Sequence, residues 1–380
     1  MLFWNIIFLS FIAHIYGAIR RSRWPNHTGI IIHYPKIGTQ MPYVIKSIEE
    51  KTCLRFVYNE SAVKRSPGID IYPHRNECYS KYLGYNKVRV NKIFATEQCL
   101  KDYYKMLMLI FQTLGLSYEH KRNDRFNYVN ISYKHVNAKD WLKYLGSDAM
   151  SGYNTTTYGT SYDYGSIMHG DLKFHNFNGE DTIIPNREFR GWYPRSMGER
   201  NKESFNEYRL LNYHYCNNTC ENKTKPDCKY NGYQNPNKCG ECLCPYPFIN
   251  GNCWGTIKGN YYCGYDHLHA TTNFQHQWYL YRKDCYITIE ANDHNHILEI
   301  IIYYLYFYWY DNQKCTREID TGLEVLYRAD KSVMGVFLCA FVNHRYGYVT
   351  IKSEDFLVFM IFRGRYGSDA LQFKYRSIPK

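Results

Sequence analysis

Six of the chain's fourteen cysteines fall at positions 220, 228, 239, 242, 244 and 253. A span that short cannot enclose a hydrophobic core, so covalent bridges must hold whatever fold it takes. Gly232, Gly240 and Gly251 punctuate it as turn residues. Zinc is the competing use of clustered cysteines. The signs of export described next, and the sixth cysteine, favour disulfides.

Met1 to Gly17 is apolar and short, ends in small residues, and reads as a signal peptide rather than a membrane span. No later apolar run is long and uncharged enough to cross a bilayer; Ile297 to Trp309 comes closest but is tyrosine-rich and strand-like. Six N-x-S/T sequons fit the same compartment, at Asn26, Asn59, Asn130, Asn154, Asn217 and Asn222. An even cysteine count also suits an oxidised, secreted, extracellular chain. The net charge of +12 reads as dispersed solubilising charge, with one cluster at Arg20, Arg21 and Arg23. No nucleic-acid motif is present. A length of 380 residues implies two or three domains.

The strongest helical signal runs from Glu97 to Leu114. Thr96 is suited to be its N-cap. Leu100, Tyr104, Leu107, Ile110, Phe111 and Leu114 recur at three- and four-residue spacing. Gly115 stands where a C-cap wants positive φ. Upstream, a helix leading into a strand is expected from Tyr43 to Glu60, with short strands at Ile69–Pro73 and Val88–Val90. Beyond Trp254, alternating runs at 286–290, 297–304, 322–326, 348–351 and 356–362 suggest a β-sandwich. His267 with His269, and His294 with His296, read as exposed loop histidines rather than metal pairs.

The run G-L-S-Y-E-H-K-R-N-D-R-F-N-Y from Gly115 resembles the segment that closes the zinc motif of the astacin family, a branch of the metzincin metalloproteases. Those enzymes carry H-E-x-x-H-x-x-G-x-x-H and a Met-turn. Aligned on Gly115, the three histidine positions are Met108, Gln112 and Tyr118, and the glutamate position is Leu109. Tyr162 to Gly170 resembles the Met-turn: Ser166, Ile167, Met168 and His169 match, and Gly170 replaces an oxyanion-stabilising tyrosine. The resemblance extends to R-x-R-W at Arg21–Trp24 and to the closing run through Tyr215-Cys216. It leaves hardly room for a latency segment after the signal. Glu119 is retained; it is expected either to anchor the mature amine or to be a surface or capping carboxylate.

The resemblance implies an α+β architecture: a signal peptide at 1–17, a degenerate astacin-like peptidase domain at 18–216, an EGF-like module at 217–253 and a CUB-like β-sandwich at 254–375. It also implies the pairs Cys53–Cys216, Cys78–Cys99, Cys220–Cys239, Cys228–Cys242, Cys244–Cys253, Cys263–Cys285 and Cys315–Cys339.

Zinc wants imidazole, thiolate or carboxylate. A thioether suits Cu(I), an amide oxygen is weak, and a phenol must first lose a proton held to about pH 10. Leu109 cannot take a proton from water. Met168 then reads as core packing. The chain is therefore expected to hold no zinc or other cofactor, to have no catalytic residue, and to act as a pseudoprotease binding an extracellular protein or glycan. Two alternatives stand beside this: an active zinc metalloendopeptidase with an atypical site, and a structural matrix component.

Overall fold

The computed structural model describes residues 17–380 except 37, 265, 281–283, 309–314, 316–320, 340, 344 and 346. The apolar segment at 1–17 therefore lies, but for Gly17, outside the described residues.

The amino-terminal part is a mixed α+β layer. Strands β1 (Ile30–His33), β2 (Phe56–Tyr58), β3 (Ile69–Pro73), β4 (Tyr79–Ser80) and β5 (Asn91–Ala95) form one sheet in the order β2-β1-β3-β5-β4, antiparallel only at the β4–β5 edge. Residues 88 and 89 are bends rather than strand, and β5 begins one residue after the strand expected there. Helix α1 (Met41–Lys51) buries Met41, Val44 and Ile48 at helical spacing.

The expected single helix is two. Helix α2 (Glu97–Lys101) starts at Thr96, whose hydroxyl accepts from the Cys99 amide. It ends at Asp102, an extended residue whose carboxylate accepts from the Lys105 amide and so caps α3 (Tyr103–Leu114). Both pieces bury residues in one apolar cluster, so the apolar spacing runs on across the break. Gly115 closes α3 at φ 108°, its amide donating to the Gln112 and Phe111 carbonyls. A short helix, α4 (Ala138–Tyr144), follows, and α5 (Phe205–Tyr215) opens on a capping box of Ser204 and Glu207.

Seven disulfides join the described cysteines: Cys53–Cys216, Cys78–Cys99, Cys220–Cys239, Cys228–Cys242, Cys244–Cys253, Cys263–Cys285 and Cys315–Cys339. The three within 220–253 hold a small unit wedged between its neighbours. On one side the Tyr233 hydroxyl donates to the Lys51 carbonyl at 3.1 Å. On the other, Phe248 and Tyr230 pack on Phe359.

The carboxyl-terminal part is a two-sheet sandwich. Its strands are β6 (His267–Ala270), β7 (Gln275–Leu280), β8 (Asp284–Ala291), β9 (His296–Tyr306), β10 (Gly322–Leu326), β11 (Val336–Leu338), β12 (Val349–Lys352), β13 (Leu357–Arg363) and β14 (Ala370–Pro379). Among the described residues one sheet runs β6-β8-β13-β10-β11 and the other β7-β14-β9-β12. Inner faces alternate with outer ones, as in β8, where Cys285, Ile287, Ile289 and Ala291 are buried. His267 and His269 sit on β6, an edge strand, not on a loop.

The sandwich core is continuous with the lower half of the first part. Tyr162, Tyr164, Tyr193 and Met197 share one buried cluster with Met334, Val336 and the strands behind them. Helix α3 and Met168 belong to a separate cluster with the first sheet.

Candidate functional site

Helix α3 presents Met108 and Leu109 inward, each almost completely buried. Gln112, one turn on, is half-buried beside Tyr118. The turn at Gly115 brings Tyr118 back toward the helix, and the Glu119 amide donates to the Met168 carbonyl at 3.0 Å. The fold therefore brings together Met108, Leu109, Gln112, Tyr118 and the Met-turn. Met168 is buried in the same cluster as Met108.

Arg200 occupies this junction. Its Nη1 lies 2.6 Å from Met108 Sδ and donates to the Ile167 carbonyl at 2.9 Å. Gly198, at φ 77°, packs so close to Asp171 that a Cβ would lie 2.5 Å from its backbone, and this delivers the arginine. Burial lowers the Arg200 pKa, while Tyr118 and Asp171 raise it; a guanidinium starts so high that it keeps its charge. Burial raises the Tyr118 phenol despite the opposing effect of Arg200, so the phenolate that a metal would need is disfavoured. Sequence reasoning missed Arg200, because its place in the closing run says nothing of where it folds.

Two histidines near the junction are already committed. His120 Nδ1 accepts from the Gly170 amide at 2.9 Å, so its Nε2 carries the proton and donates to the Tyr144 carbonyl at 2.9 Å. His169 Nδ1 donates to the Gly170 carbonyl at 2.6 Å, and its Nε2 accepts from the Tyr162 hydroxyl at 2.6 Å. Burial holds His169 neutral, its pKa lowered to about 3, and pushes His120 well below the usual histidine range. Neither has a nitrogen lone pair left for a metal.

Gly170 has no room for a side chain. A Cβ there would meet Ile183 Cδ1 and Phe174 Cγ at 2.7 Å each. Glu119 is neither a surface carboxylate nor a cap: it is buried and accepts from Arg122 Nη1 at 3.0 Å and the Asp163 amide at 2.9 Å. Burial raises its pKa to about 7 despite Arg122. Glu207 ties the Met-turn to α5 by accepting from Ser166 Oγ at 2.7 Å and the Ile167 amide at 2.8 Å.

What remains of the cleft is a cavity of about 130 Å³ lined by Gln112, Ser117 and Tyr118, with Tyr79, Tyr82, Tyr144 and Tyr153 as walls and Lys81, Lys121 and Lys143 beside them. Lys143 Nζ lies over the Tyr144 ring, 4.7 Å from its centroid. The donor set at the junction is a thioether, an amide, a phenol and a guanidinium, which does not fit a zinc ion. Its cavity suits a small anionic or hydrogen-bonding group.

A family model described as Astacin, a peptidase family, matches residues 23–216, just over half the chain. Among curated proteins, zinc metalloproteinase nas-34 of Caenorhabditis elegans is 29% identical over 238 residues, covering 60% of this chain and 36% of that protein. Zinc metalloproteinase nas-17 of the same organism is 28% identical over 371 residues, 94% of this chain and 79% of that protein. Zinc metalloproteinase dpy-31 of Brugia malayi is 34% identical over 246 residues, 62% of this chain and 39% of that protein. This chain thus spans little more than a third of nas-34. Among solved structures, high choriolytic enzyme 1, a hatching enzyme zinc-protease from Oryzias latipes, matches 57% of this chain and 98% of its own at 21% identity and a TM-score of 0.42.

Proposed function

The chain belongs to the astacin family, and on that premise we propose that it is a secreted metalloproteinase homologue that has lost zinc and the general base and acts by binding. One observation carries the reading: the largely desolvated, charged Arg200 guanidinium touches Met108, the first ligand position, at the point where a zinc ion would need a neutral imidazole. A dication close to a fixed cation is repelled by several kcal/mol at an effective dielectric near 20. Leu109, at the glutamate position, cannot take a proton from water, and Gly170, closed off by Phe174, offers no phenol to an oxyanion.

The residual cleft, walled by tyrosines and edged by lysines, suits an acidic side chain or a sugar carboxylate on an extracellular partner. We read residues 217–253 as an EGF-like module and 254–375 as a CUB-like sandwich. The one–three, two–four and five–six disulfide pattern of the first and the two-sheet stacking of the second support this. Secretion and glycosylation are supported by the seven disulfides and by Asn26, Asn130, Asn154, Asn217 and Asn222, which are all exposed. Among the described residues no helix is long and apolar enough to cross a membrane.

The test is peptide cleavage by the oxidised, purified chain supplied with excess zinc. No turnover above the rate of a heat-denatured control is expected. Chelator-sensitive cleavage by the folded chain would overturn the proposal in favour of a working peptidase.

A further inference from the structure

A second constellation lies apart from the cleft, on the outer face of the sandwich. Strand β6 alternates exposed His267, buried Leu268, exposed His269 and buried Ala270. Alternation puts both imidazoles on one face, and the buried pair between and beside them prevents a one-residue slip. Strand β8 pairs with β6 in parallel, His269 opposite Glu290 and His267 opposite Thr288. Thus the carboxylate of Glu290 rises between the two rings.

Both rings converge on one oxygen. His267 Nε2 lies 3.1 Å from Glu290 Oε2, and His269 Nδ1 lies 3.9 Å from the same atom. The ring centroids are 4.7 Å apart, and one ligand atom from each of the three residues falls within 4.8 Å of the others. Ligands tetrahedrally disposed about zinc at Zn–N and Zn–O distances near 2.0–2.1 Å stand about 3.3 Å apart. The two histidine nitrogens stand near that spacing from the carboxylate oxygen.

The backbone beneath is braced. Gln275 Nε2 donates to the His269 carbonyl at 3.1 Å while its Oε1 accepts from the Thr271 amide at 2.7 Å. The Thr288 amide donates to the Asp266 carbonyl at 2.7 Å, extending the β6–β8 ladder. A hydrogen-bonded or ion-paired histidine needs one imidazole on one carboxylate. Here a second imidazole is directed at the same oxygen, which a hydrogen bond does not require.

We propose that His267, His269 and Glu290 form a surface site for a borderline divalent transition-metal ion, of which Zn²⁺ is the one to test, with the outward coordination position left to water. Two imidazoles and a carboxylate are a donor set that zinc accepts and that leaves a coordination position open. The site is independent of the cleft, and neither reading rests on the other.

The experiment is isothermal titration of the metal-stripped, correctly oxidised full chain with zinc chloride. One equivalent should bind. Both His267→Ala/His269→Ala and Glu290→Gln should weaken that binding at least about tenfold, with unchanged circular dichroism, since all three positions are solvent-facing. Absence of uptake by the parent would overturn the site and leave the pseudoprotease reading standing. Undiminished uptake by the double-alanine variant would also overturn it. If the zinc bound by that variant were lost on adding Tyr118→Phe and Gln112→Leu, the metal would be in the cleft and the pseudoprotease reading would fall as well.

Discussion

At position 200 a guanidinium stands against Met108, 2.6 Å from its Sδ. On the proposed reading, placing histidines at 108, 112 and 118 is expected not to suffice for tight zinc binding. In a His267→Ala/His269→Ala background, which removes the surface site, the combination Met108→His, Leu109→Glu, Gln112→His and Tyr118→His should bind zinc poorly. Adding Arg200→Ala should raise the affinity at least about tenfold, because the lost repulsion is worth several kcal/mol. Equilibrium dialysis compares the two. Equal affinities would show that Arg200 does not exclude the ion. The same residue-level view explains why tyrosine at 170 is no simple repair: Phe174 and Ile183 already fill the space beyond its Cβ.

Element boundaries depend on small polar residues. Helix α3 begins at Asp102 because its carboxylate accepts from the Lys105 amide at 2.9 Å. Thr96 plays the equivalent part for α2, accepting from the Cys99 amide at 3.2 Å. Removing the α3 cap by Asp102→Ala should cost about 1 kcal/mol, and denaturant titration would read it as a lower midpoint at constant slope. A cost no different from that of a surface alanine substitution elsewhere would mean α2 and α3 behave as one helix. The apolar spacing over 97–114 was legible in the sequence, but the break at Asp102 was not. Apolar spacing reports burial, and both pieces bury residues in the same cluster.

The parts of the molecule are joined through buried polar contacts. Arg209 on α5 donates from Nη1 and Nη2 to the two oxygens of Asp330, at 3.2 and 2.5 Å. Arg328 donates to the Tyr162 carbonyl at 2.8 Å, and the Met334 amide to Asp163 at 3.1 Å. Met334 also packs on Gly165, where a Cβ would meet its sulfur at 2.4 Å. Burial works against ionisation of Asp330, but Arg209 and the hydroxyl and amide donors around it hold its pKa below the usual range. The unfolded chain then binds the extra proton between that lowered value and the ordinary one near 3.8. The pair's contribution is thus complete above the ordinary value and is lost as pH falls through the lowered one. Thermal unfolding of the parent should be a single transition, and this pair by itself adds no pH dependence to it above about pH 5. Arg209→Met, which leaves Asp330 buried and unpaired, should cost about 3–5 kcal/mol and separate the sandwich transition from that of the first part. A single unshifted transition in calorimetry would show that the apolar seam alone holds the parts together.

The sequence by itself determined the local and chemical facts. Residues 108, 109, 112 and 118 are Met, Leu, Gln and Tyr, whatever the fold, and no folding can give them an imidazole or a carboxylate. Glycine at 115, the alternating runs of the sandwich and the crowded cysteines of 220–253 likewise speak through short-range geometry. Only the tertiary structure decided that Arg200 faces Met108, that Phe174 closes the space at Gly170, that Glu119 is buried against Arg122, and that His267 and His269 share a strand face with Glu290. The first and last of these join residues far apart in the sequence, and the middle two join near neighbours whose approach and burial depend on how the turns pack. Pairing register or a glycine's close approach sets such contacts, and on a strand a slip of one residue would carry the side chains to the opposite face.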